Sequence, residues 1–322
     1  MRQSLKDRKD EIRKLVNDIG VDAAAQKTGL ARESIRRYMR KDKRTGEIPS
    51  KDVVSKNNIL EKISERFTKK ELLCIAEGGI HNATHAIPKI ETTKSIYRMG
   101  ILSDTHLGSK YTSIDLIKTA FEAFAQIGVD GIFVCGDVTE GMANRPGHVY
   151  ELSHIGFESQ SQHAIDVFSE WTDSPIYMID GNHDRWYIKA VGANIVEHIC
   201  KSLPNAEFLG HDEGDLTIGS AKVKLWHGED GSSYAISYRI QKVVESLTGG
   251  EKPHILICGH THKAMYVFDR HIHCLSAGAI QSQSKWMRAK RHASHTGFWH
   301  ADIGIGKTGV TYFSPTWHPA YI

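Results

Sequence analysis

Five short stretches carry side chains that could do chemistry together: Asp104 with His106; Gly136-Asp137; Gly181 with Asn182, His183 and Asp184; His227; and Gly259 with His260 and His262. Their donor atoms are oxygens and imidazole nitrogens. Two divalent cations need several imidazoles and an anionic oxygen that can bridge. Mixed Asp, Asn and His donors suit manganese, iron or zinc better than the all-oxygen shell that magnesium or calcium prefers. Four of the five stretches follow an apolar, strand-like run that stops at a turn. The runs are 97–102 before Asp104, 131–135 before Asp137, 176–179 before Asn182 and 254–258 before His260. His227 also follows a run, 223–226. Ligand sites in open α/β sheets gather where strands end, so strands that end together would carry all these residues to one rim. His198, His211, His254, His271, His273 and His318 lie outside this register and read as surface or core residues.

The elements that must position these residues are legible in the alternation of patterns. Strands are expected at 96–103, 130–135 and 175–180, and helices at 113–127, 156–171 and 193–203. Strand, helix, strand with short links argues for a largely parallel sheet. Beyond Asn205 short strands dominate, at 207–209, 215–218, 222–226, 255–258, 264–268, 271–275, 297–303 and 309–313. One helix, 233–247, interrupts them. Two packed sheets with helices on their outer faces satisfy this order. Residues 81–94 show no strong period and read as a surface approach to the first strand.

The 322 residues, 40% hydrophobic and 25% charged, are ordinary for a soluble globular chain. No run reaches the roughly 18 apolar residues that a membrane span needs. The charged N-terminus has no apolar signal core, so a cytoplasmic location is expected, in a bacterial or phage-infected cell. Five cysteines, an odd number without CxxC spacing, read as buried reduced thiols. The net charge of +3 is unevenly spread: residues 1–44 hold 14 Lys/Arg against 7 Asp/Glu, a surplus of +7, which leaves −4 for the rest. A polyanion is the expected partner of that end.

In this arm Ile12, Leu15, Val16 and Ile19 make one helical face over 8–19, and Gly20 ends it. A second short helix at 22–28 breaks at Gly29-Leu30, and a third is expected over 31–41. The stretch 21–40 resembles the helix-turn-helix of bacterial and phage DNA-binding proteins. Ala25 is the small residue at the crossing, and Leu30, Ile35 and Tyr38 complete the core. The resemblance implies that Arg32, Ser34, Arg36, Arg37 and Arg40 face phosphates and base edges in a major groove. The expected organisation is a helix-turn-helix module at 1–45, a linker with one helix (58–78) at 46–94, and a catalytic domain at 95–322.

The motif set D-x-H, G-D, G-N-H-D, H and G-H-x-H, in that order and each after an apolar run, resembles the calcineurin-like metallophosphoesterase superfamily. The resemblance covers about 95–320 and implies an α/β fold, a four-layer αββα sandwich. It implies that Asp104, His106 and His262 hold one metal, that Asn182, His227 and His260 hold another, and that Asp137 bridges them. It also implies a metal-bridging hydroxide as nucleophile and His183 as the general acid, oriented by Asp184. Manganese is the expected metal, with iron or zinc as alternatives. The Asp-Arg pair of the protein phosphatases is absent after Asp137. Arg145-Pro146 is instead loosely similar to the SbcD-type nucleases. Arg145, His148 and His154 in that loop, and Lys285, Trp286 and Arg288 in the basic stretch 285–292, are candidate substrate contacts.

The leading expectation is therefore a DNA phosphodiesterase, an endo- or exonuclease. DNA, a second copy of the chain, and a separate ATPase or replication or repair protein are its expected partners. Two readings compete with it. One is a phosphatase or small-molecule phosphodiesterase tethered to DNA or a partner by the arm. The other is a DNA-binding regulator with a relic metal site.

Overall fold

The computed structural model describes residues 5–30, 35, 87–143, 146–229, 235–248, 250 and 252–321. The chain divides into two compact units, 1–69 and 70–322. In the first, a helical stretch Leu5–Thr28 is broken at Gly20, whose φ of 81° and ψ of 167° are not helical. Ile12, Val16, Ala24 and Ile35 are buried together, with Leu15, Val21, Ala25 and Leu30 against them. Ala24, rather than Ala25, is the fully buried small residue. The expected third helix apart from Ile35, the linker and the helix at 58–78 lie outside the described residues, as does Cys74.

Among the described residues of the second unit, twelve strands form two six-stranded sheets. The strands are β1 (Lys89–Ile90), β2 (Ile96–Leu102), β3 (Gly131–Cys135), β4 (Ile176–Asp180), β5 (Ala206–His211), β6 (Glu213–Ile218), β7 (Ala221–Trp226), β8 (Ile255–Cys258), β9 (Ala264–Asp269), β10 (Ile272–Ala277), β11 (Gly297–Ile305) and β12 (Val310–Pro319). One sheet runs β12-β11-β2-β3-β4-β5 and the other β1-β6-β7-β8-β10-β9. Both are mixed, and the strands β2, β3 and β4 of the strand-helix-strand stretch pair in parallel as expected. The parallel blocks are β2 to β5 and β7-β8-β10. Lys89–Ile90 pairs in parallel with Thr217 and Ile218, so part of the supposed surface approach is an edge strand.

The parallel strands are buried on both faces, which is why they read as unbroken apolar runs. Met99, Ile101, Phe133 and Ile179 face Leu216, Val223, Leu225, Ile255 and Ile257 between the sheets. On the outer side, Leu102, Ile132, Val134 and Met178 pack against Ile117, Phe121 and Phe124 of the helix Ile114–Ile127, Phe168 of Phe157–Phe168, and Val196 and Ile199 of Ile195–Ser202. Beyond the second sheet, Ile240 and Val244 of Tyr238–Ser246 cover Leu256, Cys258, Ile272 and Cys274. The order helix, sheet, sheet, helix is the four-layer αββα sandwich that the resemblance implies. Cys135, Cys200, Cys258 and Cys274 are buried free thiols.

Candidate metal centre and cleft

The parallel registers Leu102↔Val134, Cys135↔Ile179 and Trp226↔Cys258 line up the strand ends from which the chemical residues emerge. The loops after β2, β3, β4, β7 and β8 then meet. His106 N–H donates to the Asp137 carbonyl at 2.9 Å and His260 N–H to Asp104 Oδ2 at 3.1 Å. His183 N–H donates to Asp137 Oδ1 at 2.8 Å. Gly181 is required here because a Cβ at that position would collide with the Asp137 side chain and amide. Gly136, at φ 80°, lets the His227 ring lie directly against the backbone. Asp104, His106, Asp137, His260 and His262 all adopt φ between 46° and 68°. That region is disfavoured for residues with a Cβ, and such strain collects at functional sites.

Two groups of donor atoms result. In the first, His262 Nε2 lies 3.1 Å from Asp104 Oδ1 and 3.2 Å from His106 Nε2. In the second, His227 Nε2 lies 3.1 Å from Asp137 Oδ2 and 3.2 Å from Asn182 Oδ1, and His260 Nδ1 lies 2.8 Å from the same Asn182 oxygen. Asp137 Oδ2 is also 3.6 Å from His106 Nε2, which places it between the groups. Asp104 Oδ1 is fully buried and accepts no well-formed hydrogen bond, despite the nitrogen nearby. Opposed nitrogens and an unsatisfied carboxylate oxygen at these spacings fit donors about 2.0–2.2 Å from a common cation. The two sets fit two divalent ions. His227 Nδ1 donates to the Cys135 carbonyl at 2.7 Å, which fixes Nε2 as the inward atom.

Burial would raise the Asp137 carboxyl, but His227, His183 and His106 outweigh it and hold it well below the usual carboxylate range. Burial would likewise lower the imidazoles. The facing carboxylates reverse this, raising His106 to about 9, chiefly through Glu140, and His227 to about 10, chiefly through Asp137.

Sequence reasoning missed Glu140. Its carboxylate, 5% exposed, contacts His106 Nδ1 at 3.0 Å, His148 Nε2 at 2.9 Å and Gln281 Nε2 at 2.9 Å. Its carbonyl accepts from His183 Nδ1 at 2.9 Å. Its place three residues after Asp137, in an otherwise small and apolar turn, is the signal that could have found it.

That geometry corrects the role expected of Asp184. The His183 ring pairs with the Glu140 carbonyl instead. Asp184 accepts from the Val138, Thr139 and Gly181 amides and the Thr139 hydroxyl, at 2.8–3.0 Å. Neighbours in a tight turn point apart, and this carboxylate turns down to tie two motif loops together. His148 is corrected as well: the turn His148–Glu151 directs its ring inward, 1% exposed, onto Glu140. His154 stacks on His163 with centroids 3.9 Å apart.

The donors floor a cleft of about 530 Å³, whose walls include Arg239, Lys263, Trp286, Met287 and Lys290. From the basic stretch it takes Trp286, Met287, Lys290 and His292, leaving Lys285 and Arg288 exposed outside the lining. Arg145, Arg32, Ser34, Arg36, Arg37 and Arg40 lie outside the described residues. Among the described residues no helix is long and apolar enough to cross a membrane.

A model of the calcineurin-like phosphoesterase superfamily domain matches residues 97–295. The chain belongs to this superfamily. Among curated proteins, the DNA polymerase II small subunit of Methanothermobacter thermautotrophicus is 23% identical over 305 residues, covering 76% of this chain. The match spans only 61% of that relative's length. Solved phosphoesterase structures resemble it more distantly. An archaeal phosphodiesterase is 16% identical with a TM-score of 0.41, covering 69% of this chain and 99% of its own. The phosphoesterase Yfce from E. coli is 16% identical with a TM-score of 0.40, covering 67% and 97% respectively.

Proposed function

We propose that this phosphoesterase is a dinuclear, manganese-preferring phosphodiesterase that cleaves DNA. The observation that carries the reading is the position of Asp137 Oδ2 between two donor groups, on the floor of a cleft with Arg239, Lys263 and Lys290 in its walls. Asp104, His106 and His262 would hold one cation and Asn182, His227 and His260 the other, with the Asp137 carboxylate available to both. When bound, the pair supplies Lewis-acid polarisation of phosphoryl oxygens and an acidified water.

The remaining work falls to the chain. His183 Nδ1–H donates a hydrogen bond to the Glu140 carbonyl at 2.9 Å, so Nε2 is the atom that takes up a second proton and hands it to the departing oxygen. Burial outweighs the upward pull of Asp137 and holds the His183 pKa below its ordinary 6.5, so the imidazole parts readily with a proton it has taken up. The wall cations neutralise the flanking phosphates of a strand. The likeness to a protein named as a DNA polymerase subunit supports DNA as the polyanion and a replication or repair assembly as the setting. The basic arm then acts as a helix-turn-helix tether through Arg32, Ser34, Arg36, Arg37 and Arg40.

The test pairs DNA with nitrophenyl esters in the presence of manganese. Cleavage of DNA and of the bis-ester, slow turnover of the mono-ester, and loss of both activities in Asp137→Asn and His183→Ala are expected. Preferred turnover of the mono-ester would make the chain a phosphatase instead. Metal-loaded protein that leaves every DNA form intact would end the nuclease reading.

A further inference from the structure

The donors are deeply recessed: Asp104, His106, Asp137 and His227 are each at most 2% exposed. Of the donor set, His106, Asp137, Asn182, His260 and His262 line a space of about 530 Å³, within the range of a pocket for one small ligand. A duplex presents its phosphates on a broad, stiff surface. An unpaired strand can fold a single phosphate, with its sugar and base, into such a recess.

One wall carries an indole suited to that base. Trp286, 45% exposed, lines the cleft from the short helix Lys285–Ala289. This helix is no loose flap. The Ser284 hydroxyl caps it by accepting from Met287 N–H at 3.2 Å, and the Met287 side chain is buried beneath. Gln283 Nε2 donates to the His292 carbonyl at 2.6 Å. The segment leading into the helix is stitched to the first donor loop: Ile280 N–H donates to the Ser103 carbonyl and Gln281 N–H to the Asp104 carbonyl, each at 3.2 Å. Gln281 Nε2 also reaches Glu140. The backbone that carries the ring is thus tied to the donor loops, and the ring lies beside that of His292, centroids 5.6 Å apart. Lys263 and Lys290 line the same cleft. Glu229, also in the lining, is already neutralised by Arg185 at 2.7 Å and Lys189 at 2.9 Å.

We infer that Trp286 is a stacking platform for one unpaired base, and that the enzyme therefore selects single-stranded DNA over duplex. The inference rests on the phosphodiesterase reading above. Every base has a π-face, so stacking of this kind recognises an open strand and tolerates any sequence. Lys263 and Lys290 neutralise phosphates on either side of the stacked nucleotide.

The experiment uses the full chain with manganese and three substrates of equal length: a single strand, the same strand with a run of abasic positions, and a blunt duplex. For wild type, kcat/KM on the duplex and on the abasic strand should each fall about 5- to 150-fold below that on the intact strand. Trp286→Ala should no longer distinguish intact from abasic strands, and Trp286→Phe should restore the distinction. Equal cleavage of intact and abasic strands by wild type, or a distinction that survives in Trp286→Ala, overturns the inference. If the nitrophenyl bis-ester is hydrolysed but no strand is cut, the inference falls and the phosphodiesterase chemistry stands. If neither is turned over, the reading beneath it falls too.

Discussion

Glu140→Gln is the perturbation that most directly probes how the centre is held. The carboxylate is buried against His106, His148 and Gln281, and the amide keeps its shape while removing its charge. Burial works against the Glu140 charge, yet His106 and His148 hold the group well below its ordinary 4.5. Burial works against the His106 charge in the same way, yet Glu140, Asp137 and Asp104 lift it from 6.5 to about 9. The sign follows for the metal-free protein. The depressed acid adds stability above its unfolded pKa, lost as pH falls through the folded value. The raised imidazole adds stability below its unfolded pKa, lost as pH rises through 9. Both contributions are whole only between the two ordinary values, near pH 5.5. Breaking a buried pair costs roughly 3–5 kcal/mol when a charge is stranded. The isosteric amide still pairs, so about 2–3 kcal/mol is the better expectation. At roughly 2–4 °C per kcal/mol for a domain of this size, the variant should melt about 4–12 °C lower near pH 5.5. The gap should narrow steadily by pH 9. In the metal-loaded state His106 loses its charged support, and affinity for manganese should drop about 10- to 100-fold. The assays are melting across a pH series in chelator and calorimetric titration of manganese. Coincident melting curves from pH 5 to 9, with unchanged metal affinity, would refute the reasoning.

Three further outcomes are expected. Gly181→Ala should destabilise the protein by about 1–3 kcal/mol and reduce its metal content by elemental analysis, because the added methyl meets Asp137. Metal loading at pH 7 should release roughly two protons per chain into weak buffer, since His106 and His227 both carry protons before the cations arrive; His227→Ala should release fewer. Deleting residues 1–45 should weaken DNA binding and flatten its dependence on salt in a filter-binding or anisotropy titration, while bis-ester turnover persists.

The sandwich was legible because its strands announce themselves. Runs such as 131–135 and 255–258 are apolar at every position, as strands buried on both faces must be. The donors were legible because each stands where such a run stops. What surrounds them was not. Glu140 and Gln281 are 141 residues apart in sequence, and nothing local marks either as the other's partner. Asp184 adjoins His183 in the chain, which invites a pairing that the turn forbids. The helices Arg185–Val191 and Lys285–Ala289, seven and five residues long, are too short to show a period. Trp286 was picked out by its basic neighbours and by the place of that stretch after a strand and turn. That it lines the cleft while Lys285 and Arg288 do not depends on the cap at Ser284, which only the fold reveals.

The left-handed backbone of Asp104, His106, Asp137, His260 and His262 carries a cost that the packing of the sandwich must meet. Each such residue is disfavoured by about 1–3 kcal/mol. Exchanging His260 for glycine should therefore make the empty protein melt higher even as it empties the second cation position. A lineage released from catalysis would find that exchange easy to accept, and would grow sturdier as it lost its chemistry.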